Sequence, residues 1–263
     1  MVKDILENKH IAIIGYGNMG KAIVQGLLDK KIVKRSQLVI SNSSSENVDA
    51  VLKSQIIILC VKPQDMSSVI TAITDITDIR FIDKLFISIA AGFSISSIQN
   101  HLGNKAKIIR VMPNLCAKIG ESMSCWVRNK HITTHDVKVI RLLLSSFGQE
   151  LEMQHEDDLN KVTAVSGSGP AFFFYFIEAF MESARKQGFD DGMSKLLIMQ
   201  TLKGSLATLA QAAICVEDLR KQVTSKGGTT EAAIKIFEGR KFKQIFAQAI
   251  HAAYNRSRQL NFS

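Results

Sequence analysis

The chain has 263 residues, 46% hydrophobic and 22% charged, which is an ordinary globular composition with length for two domains. Its net charge of +9 is spread over scattered Lys and Arg with no basic run or basic–aromatic repeat, so no nucleic-acid partner is expected. MVKDILENKH has no apolar signal region, residues 56–61 are too short an aliphatic run to span a bilayer, and Cys60, Cys116, Cys125 and Cys215 form no C-x-x-C pair, so a cytoplasmic, reduced, membrane-free and metal-free protein is expected.

The first half alternates between two periodicities. Strands are predicted at 11–15, 38–41, 56–61, 85–90 and 107–112, and helices at 19–30, 47–53, 64–73, 94–102 and 133–146. Short strands are added at 123–127 and 149–153. Strands alternating with helices predict a parallel α/β sheet of Rossmann type. Only about fifteen residues separate the second and third strands, too few for the further helix and strand usual there. Either the sheet lacks an element or the sequence skips a segment. From about Glu156 the pattern turns helical throughout, with breaks at Pro170, at 186–192 and at 223–230. The predicted organisation is a nucleotide domain over 1–153 and an all-α domain over 154–263.

Residues 11–20 read IAIIGYGNMG, a strand feeding G-x-G-x-x-G into a helix. Gly15, Gly17 and Gly20 allow a tight turn, close approach to a pyrophosphate and close helix–strand packing. An NAD-binding fold usually ends its second strand in an acid that holds the ribose hydroxyls. Here that strand runs into Ser41-Asn42-Ser43-Ser44-Ser45, with no carboxylate to repel a 2′-phosphate and several hydroxyl and amide donors. This favours NADPH, with NADH possible. A Ser/Asn run is also an ordinary loop composition.

A second glycine loop, Val223 to Thr230 (VTSKGGTT), precedes a helical stretch. Two glycines and four hydroxyl residues ahead of a helix can form an anion nest sized for a carboxylate. They can equally be a helix cap made by Thr229 or Thr230. Ser166 to Pro170 (SGSGP) reads as a helix break and restart.

Taken together, GYGNMG at 15–20, VKP at 61–63, SIAAG at 88–92, RVMPN at 110–114, VTAVSGSGP at 162–170 and LRKQVTSKGGTT at 219–230 resemble the pyrroline-5-carboxylate reductase family over nearly the whole chain. The resemblance implies a Rossmann domain followed by a helical dimerisation domain, with dimers that assemble further into decamers. It implies NADPH contacts from Gly15, Tyr16, Gly17, Asn18 and Met19, from Ser41 and Asn47, from Val61, Lys62 and Pro63, and from Ala90, Ala91 and Gly92. It places the substrate carboxylate on Gly228, Thr229 and Thr230 with Ser225 nearby, gives Glu156 a position near the substrate pocket, and makes the Thr230 hydroxyl the catalytic partner of the ring nitrogen. The implied reaction is hydride transfer to a cyclic imine, giving L-proline.

The chain departs from the family pattern in the shortened segment after Ser41, in Leu115-Cys116 after RVMPN, in Asn160, and in Lys226 where the loop usually has proline. A β-hydroxyacid reductase of the same plan would need a lysine that residues 167–171 lack. A degenerate NADPH-binding scaffold is the other alternative, and the shortened segment is its support.

Overall fold

The computed structural model describes residues 3–75 and 81–260. Among these, seven strands form one sheet in the order β2-β1-β3-β4-β5-β6-β7. They are β1 (Ile11–Ile14), β2 (Leu38–Ser41), β3 (Ile56–Leu59), β4 (Leu85–Ser88), β5 (Lys107–Met112), β6 (Ser122–Arg128) and β7 (Gly148–Glu152). The connecting helices are α1 (Asn18–Asp29), α2 (Ser44–Lys53), α3 (Met66–Thr74), α4 (Ile95–Leu102) and α5 (Thr134–Leu144).

Alternation along β1 shows why both faces of the sheet are covered. Ile11 and Ile13 pack with Ile23 and Leu27 of α1 and Ile140 and Leu143 of α5. Ala12 and Ile14 pack with Val51 of α2, Ile70 of α3 and Ile98 of α4. A strand buried on both sides needs apolar residues at every position, and the IAII run supplies them.

The short second connection is closed by α2 alone, which carries the chain from β2 across β1 to β3. β2 is therefore the edge, and the sheet lacks the strand that would lie outside it. The parallel sheet expected from the alternating first half is present, with one antiparallel pair beyond it. β1 to β5 pair in parallel, but β6 runs antiparallel to β5. The reason is length: a single 3₁₀ turn (Leu115–Ile119) joins them, and a parallel crossover needs a dozen residues or more. Several strands also end one or two residues before the expected limit. The residues released, among them Gly15, Cys60, Val61, Ile89 and Ala90, form the loops at the carboxyl edge.

From Asp158 onward every described element is helical: α6 (Asp158–Val162), α7 (Gly169–Lys186), α8 (Asp191–Gln211), α9 (Val216–Gln222), α10 (Thr229–Gly239) and α11 (Phe242–Gln259). Between α6 and α7 lies a π turn (Thr163–Gly167). Pro170 has no N–H to give the carbonyl of Ser166, and the Asn114 side-chain amide donates to that carbonyl instead, at 3.2 Å. Two further breaks, at 212–215 and at Arg240-Lys241, divide the helical half beyond those expected from the sequence. The second uses a left-handed lysine (Lys241, φ 57°) one residue beyond Arg240, the C-cap of α10.

By packing, the chain forms two compact units, Met1–Pro170 with Ala252–Ser263, and Ala171–His251. The sequence changes character near residue 154, whereas packing divides at Pro170. Leu159 and Val162 of α6 join the core under the sheet, and the Ser257 hydroxyl near the end of α11 donates to Asn160 at 2.9 Å.

Candidate active site: two glycine loops

The first loop joins β1 to α1. Gly15 has φ 94°, and a Cβ there would meet Val61 Cγ1 at 2.9 Å and the Cys60 backbone at 3.0 Å. A Cβ on Gly20 would lie 2.3 Å from the Gly15 carbonyl oxygen. Internal packing thus accounts for both glycines. Gly17 is different, because a Cβ there would meet nothing within 4 Å. Its backbone faces open space at the head of α1. That helix starts at Asn18 with no side-chain cap and no acid in its first turn, leaving a positive helix end. The turn therefore fits a dinucleotide pyrophosphate, for which Gly17 leaves room.

Neighbouring strand ends hold this turn in place. The Gly15 N–H donates to the Ser41 carbonyl at 2.9 Å, and the Cys60 N–H to the Ile14 carbonyl at 2.7 Å. The Tyr16 N–H donates to Asn42 Oδ1 at 2.7 Å. Lys21 sets its ammonium 5.7 Å from the centre of the Tyr16 ring, which adds positive charge beside the turn. Burial pushes the Cys60 thiol up to about 12, so the floor of the turn stays neutral. Val61, Lys62 and Pro63 follow directly, and Pro63 opens a 3₁₀ turn.

The residues predicted beside the ribose come together. Buried Ser41 donates through its hydroxyl to Oδ1 of buried Asn47 at 2.7 Å. The claim that no carboxylate lies at the end of β2 is corrected. Glu46 folds back from α2 and accepts the Asn42 N–H at 3.1 Å. Read linearly, Glu46 lies four residues past Asn42, but one helical turn brings it back to the strand end. The third group, Ala90, Ala91 and Gly92, follows β4. Gly92 has φ 72°, and a Cβ there would meet the Leu260 carbonyl oxygen at 2.0 Å, so the end of α11 lies against it.

Glu156 is held within the first unit. Its Oε1 accepts the Ile95 N–H at the head of α4, at 2.8 Å, and also the guanidinium of buried Arg110. It ties the approach to α6 to both α4 and β5.

The second loop belongs to the second unit and leads into α10. Gly227 has φ 75°, and the Gly228 N–H donates to the Ser225 carbonyl at 3.0 Å. The sequence left two readings of this loop open, and here the geometry is specific. The N-cap of α10 is Gly228, and neither Thr229 nor Thr230 makes a capping bond. The one acid of the first turn, Glu231, folds back onto the loop. It accepts the Gly227 N–H at 2.9 Å and pairs with Lys235 at 3.3 Å. The bond from Gly227, then Lys235, holds its carboxyl below the usual range. A helix end with no side-chain cap, two adjacent hydroxyls and the exposed Lys226 remain as a seat for an anion.

Among the described residues no helix is long and apolar enough to cross a membrane, and no group of three His, Cys, Asp or Glu could hold a metal ion.

The family profile for pyrroline-5-carboxylate reductase dimerisation matches residues 156–260, and that for the coenzyme F420-dependent NADP oxidoreductase matches residues 10–92. The chain is 34% identical to the pyrroline-5-carboxylate reductase of Vibrio alginolyticus, covering 97% of this chain and 98% of that one. It is 33% identical to pyrroline-5-carboxylate reductase 2 of Bacillus subtilis, over 96% and 95% of the two chains. Among solved structures, pyrroline carboxylate reductase of Plasmodium falciparum with NADP bound superposes with a TM-score of 0.89, at 30% identity over 97% of this chain and 99% of that one.

Proposed function

This chain belongs to the pyrroline-5-carboxylate reductase family, and we propose how its two glycine loops share the work of that reaction. It reduces 1-pyrroline-5-carboxylate to L-proline with NADPH, as an oxidoreductase acting on a C=N bond in proline biosynthesis. One observation carries the reading most directly. The two loops each lead into a helix without a side-chain cap, which leaves the N–H groups of the first helical turn to meet an anion.

In this reading Gly15 to Met19 cradle the pyrophosphate, with the peptide N–H groups at the head of α1 directed at it. Ser41 and Asn47 line the adenosine ribose. Val61 to Pro63 and Ala90 to Gly92 flank the remainder of the nucleotide. Bound there, NADPH would supply the hydride that C5 of the imine accepts. The protein's contribution is position. Gly228, Thr229 and Thr230 hold the substrate carboxylate, with Ser225 shaping the loop beneath them and Lys226 adding attraction. The fixed carboxylate sets which face of the ring meets the hydride. The Thr230 hydroxyl bonds the ring nitrogen as its charge changes. Glu156 acts through Arg110 and the head of α4 as a positioning residue. The ring nitrogen takes its proton from water, and because a protonated imine is already electrophilic no strong general acid is needed from the protein.

The chain carries the family's dimerisation domain and self-associates. Assembly beyond the dimer, to a decamer, is part of the proposal. So is residence in the cytoplasm, which the four unpaired cysteines support.

The decisive assay follows NADPH absorbance on addition of pyrroline-5-carboxylate and identifies proline as product. Imine-dependent oxidation with stoichiometric proline is expected. NADPH binding without turnover would overturn the activity and leave a nucleotide-binding scaffold.

A further inference from the structure

The end of the second strand is where folds of this class choose between nicotinamide nucleotides. In the linear sequence this stretch has no acid. In the folded chain it has one. The Glu46 carboxylate accepts the backbone N–H of Asn42, the first residue beyond β2, at 3.1 Å. Its position is well supported. The Glu46 N–H donates to the Ser43 hydroxyl that caps α2, and its neighbour Asn47 is buried and bonded to Ser41. Asn42 in turn holds the Tyr16 N–H, so this acid sits on the turn that carries the glycine loop. The bond from Asn42, then that from Ser43, keeps the carboxyl below the usual range, and it is ionised at neutral pH.

Several of the donors that would welcome a 2′-phosphate are in use. The Asn42 N–H is taken by Glu46, and the Ser41 hydroxyl donates to Asn47 and also contacts the Ser43 carbonyl. Ser43 and Ser45 share a hydrogen bond at 3.2 Å. Residues 41–47 contain no Lys or Arg, and Lys53 further along α2 is paired with Asp49 at 2.6 Å. A ribose 2′-hydroxyl can donate to a carboxylate. A 2′-phosphate, with a charge near −2 at neutral pH, has little proton to donate and is repelled.

We propose that Glu46 is the nucleotide-specificity determinant of this enzyme: its carboxylate accepts from the adenosine 2′-hydroxyl and opposes the 2′-phosphate, so that NADH serves alongside NADPH. The inference rests on the dinucleotide site proposed above, and its test reads binding rather than turnover. Dissociation constants for NADPH and NADH are measured by titration calorimetry on wild type, Glu46→Gln and Asp49→Asn. The glutamine keeps an acceptor for Asn42 while removing the charge. Asp49→Asn removes the same charge from the same helix, away from the strand end.

With Glu46→Gln, the preference for NADPH over NADH is expected to rise about tenfold or more, chiefly through tighter NADPH. With Asp49→Asn it stays within twofold of wild type. An unchanged preference in Glu46→Gln would overturn the proposal, as would an equal shift in Asp49→Asn, which would assign the effect to bulk charge. Nucleotide binding with this pattern but without imine turnover would support the role of Glu46 and refute the activity. Failure of wild type to bind either nucleotide would refute the site and the proposal together.

Discussion

At the residue scale the sharpest question is what Thr230 does. It sits in the first turn of α10, behind an N-cap that is glycine, and its hydroxyl makes no capping bond. Capping of α10 therefore makes no use of its hydroxyl. Thr230→Val removes the hydroxyl and nearly keeps the volume. Loss of one hydrogen bond to a charged ligand costs on the order of 1.5–3 kcal/mol, so kcat/KM for the imine should fall roughly ten- to a hundred-fold. NADPH affinity should stay near wild type, because the pyrophosphate loop lies in the other unit. The melting temperature should also hold, because no cap is lost. A lowered melting temperature with unchanged kcat/KM would return the loop to a purely structural role. If Thr230 also serves the ring nitrogen, kcat falls together with a rise in KM.

At the element scale, the joint between β1 and α1 depends on a contact between two glycines. Gly20 lets the helix approach until its Cα faces the Gly15 carbonyl, with no room for a methyl group. Gly20→Ala must push α1 away from β1. Overpacking of this kind costs typically about 1–3 kcal/mol, and the displaced helix end no longer points at the pyrophosphate. NADPH affinity should fall by more than tenfold while the fold persists with a modestly lowered melting temperature. Wild-type affinity in a folded Gly20→Ala variant would mean that α1 does not form the nucleotide seat.

The same joint shows what was legible in sequence. The IAII run and the glycine spacing state the turn itself, because the strand, the glycines and the helix start lie within ten residues, while the contacts from Ser41, Asn42, Cys60 and Val61 that hold it come from distant segments. The antiparallel β6 was less legible, since strand direction depends on connection length rather than on strand composition. Glu46 was illegible for a related reason: its role depends on α2 beginning at Ser44, two residues after Asn42, which a helix predicted only from residue 47 conceals. The uncapped state of Thr229 and Thr230 could not be read from residue types at all, because threonine before a helix is the usual signature of a cap.

At the scale of the whole molecule, the second unit carries far more apolar surface than a monomer tolerates. The stretch AFFFYFIEAFM in α7 has Phe173 65% and Tyr175 75% exposed. Leu196 of α8 is 69% exposed and Ile236 of α10 is 67% exposed. Exposed apolar patches on this scale mark association surfaces. Within the unit these helices do pack, as Phe172 against Phe246 shows, but the unit offers too little chain to cover both sides of α7. The family's dimerisation profile spans these residues, which makes a second copy the cover. The expected solution species is therefore a dimer or a multiple of it, and a 29.1 kDa particle should be absent at low micromolar concentration. Because association stabilises the folded state by mass action, the melting temperature should rise with protein concentration. Phe173→Asp places a charge on the exposed ridge of α7. It should reduce the mass seen by light scattering, remove the concentration dependence and lower imine reductase activity. A wild type that sediments cleanly as a monomer and melts at the same temperature across a hundredfold range of concentration would refute the cover by a second copy, and would require those phenylalanines to be buried within one chain.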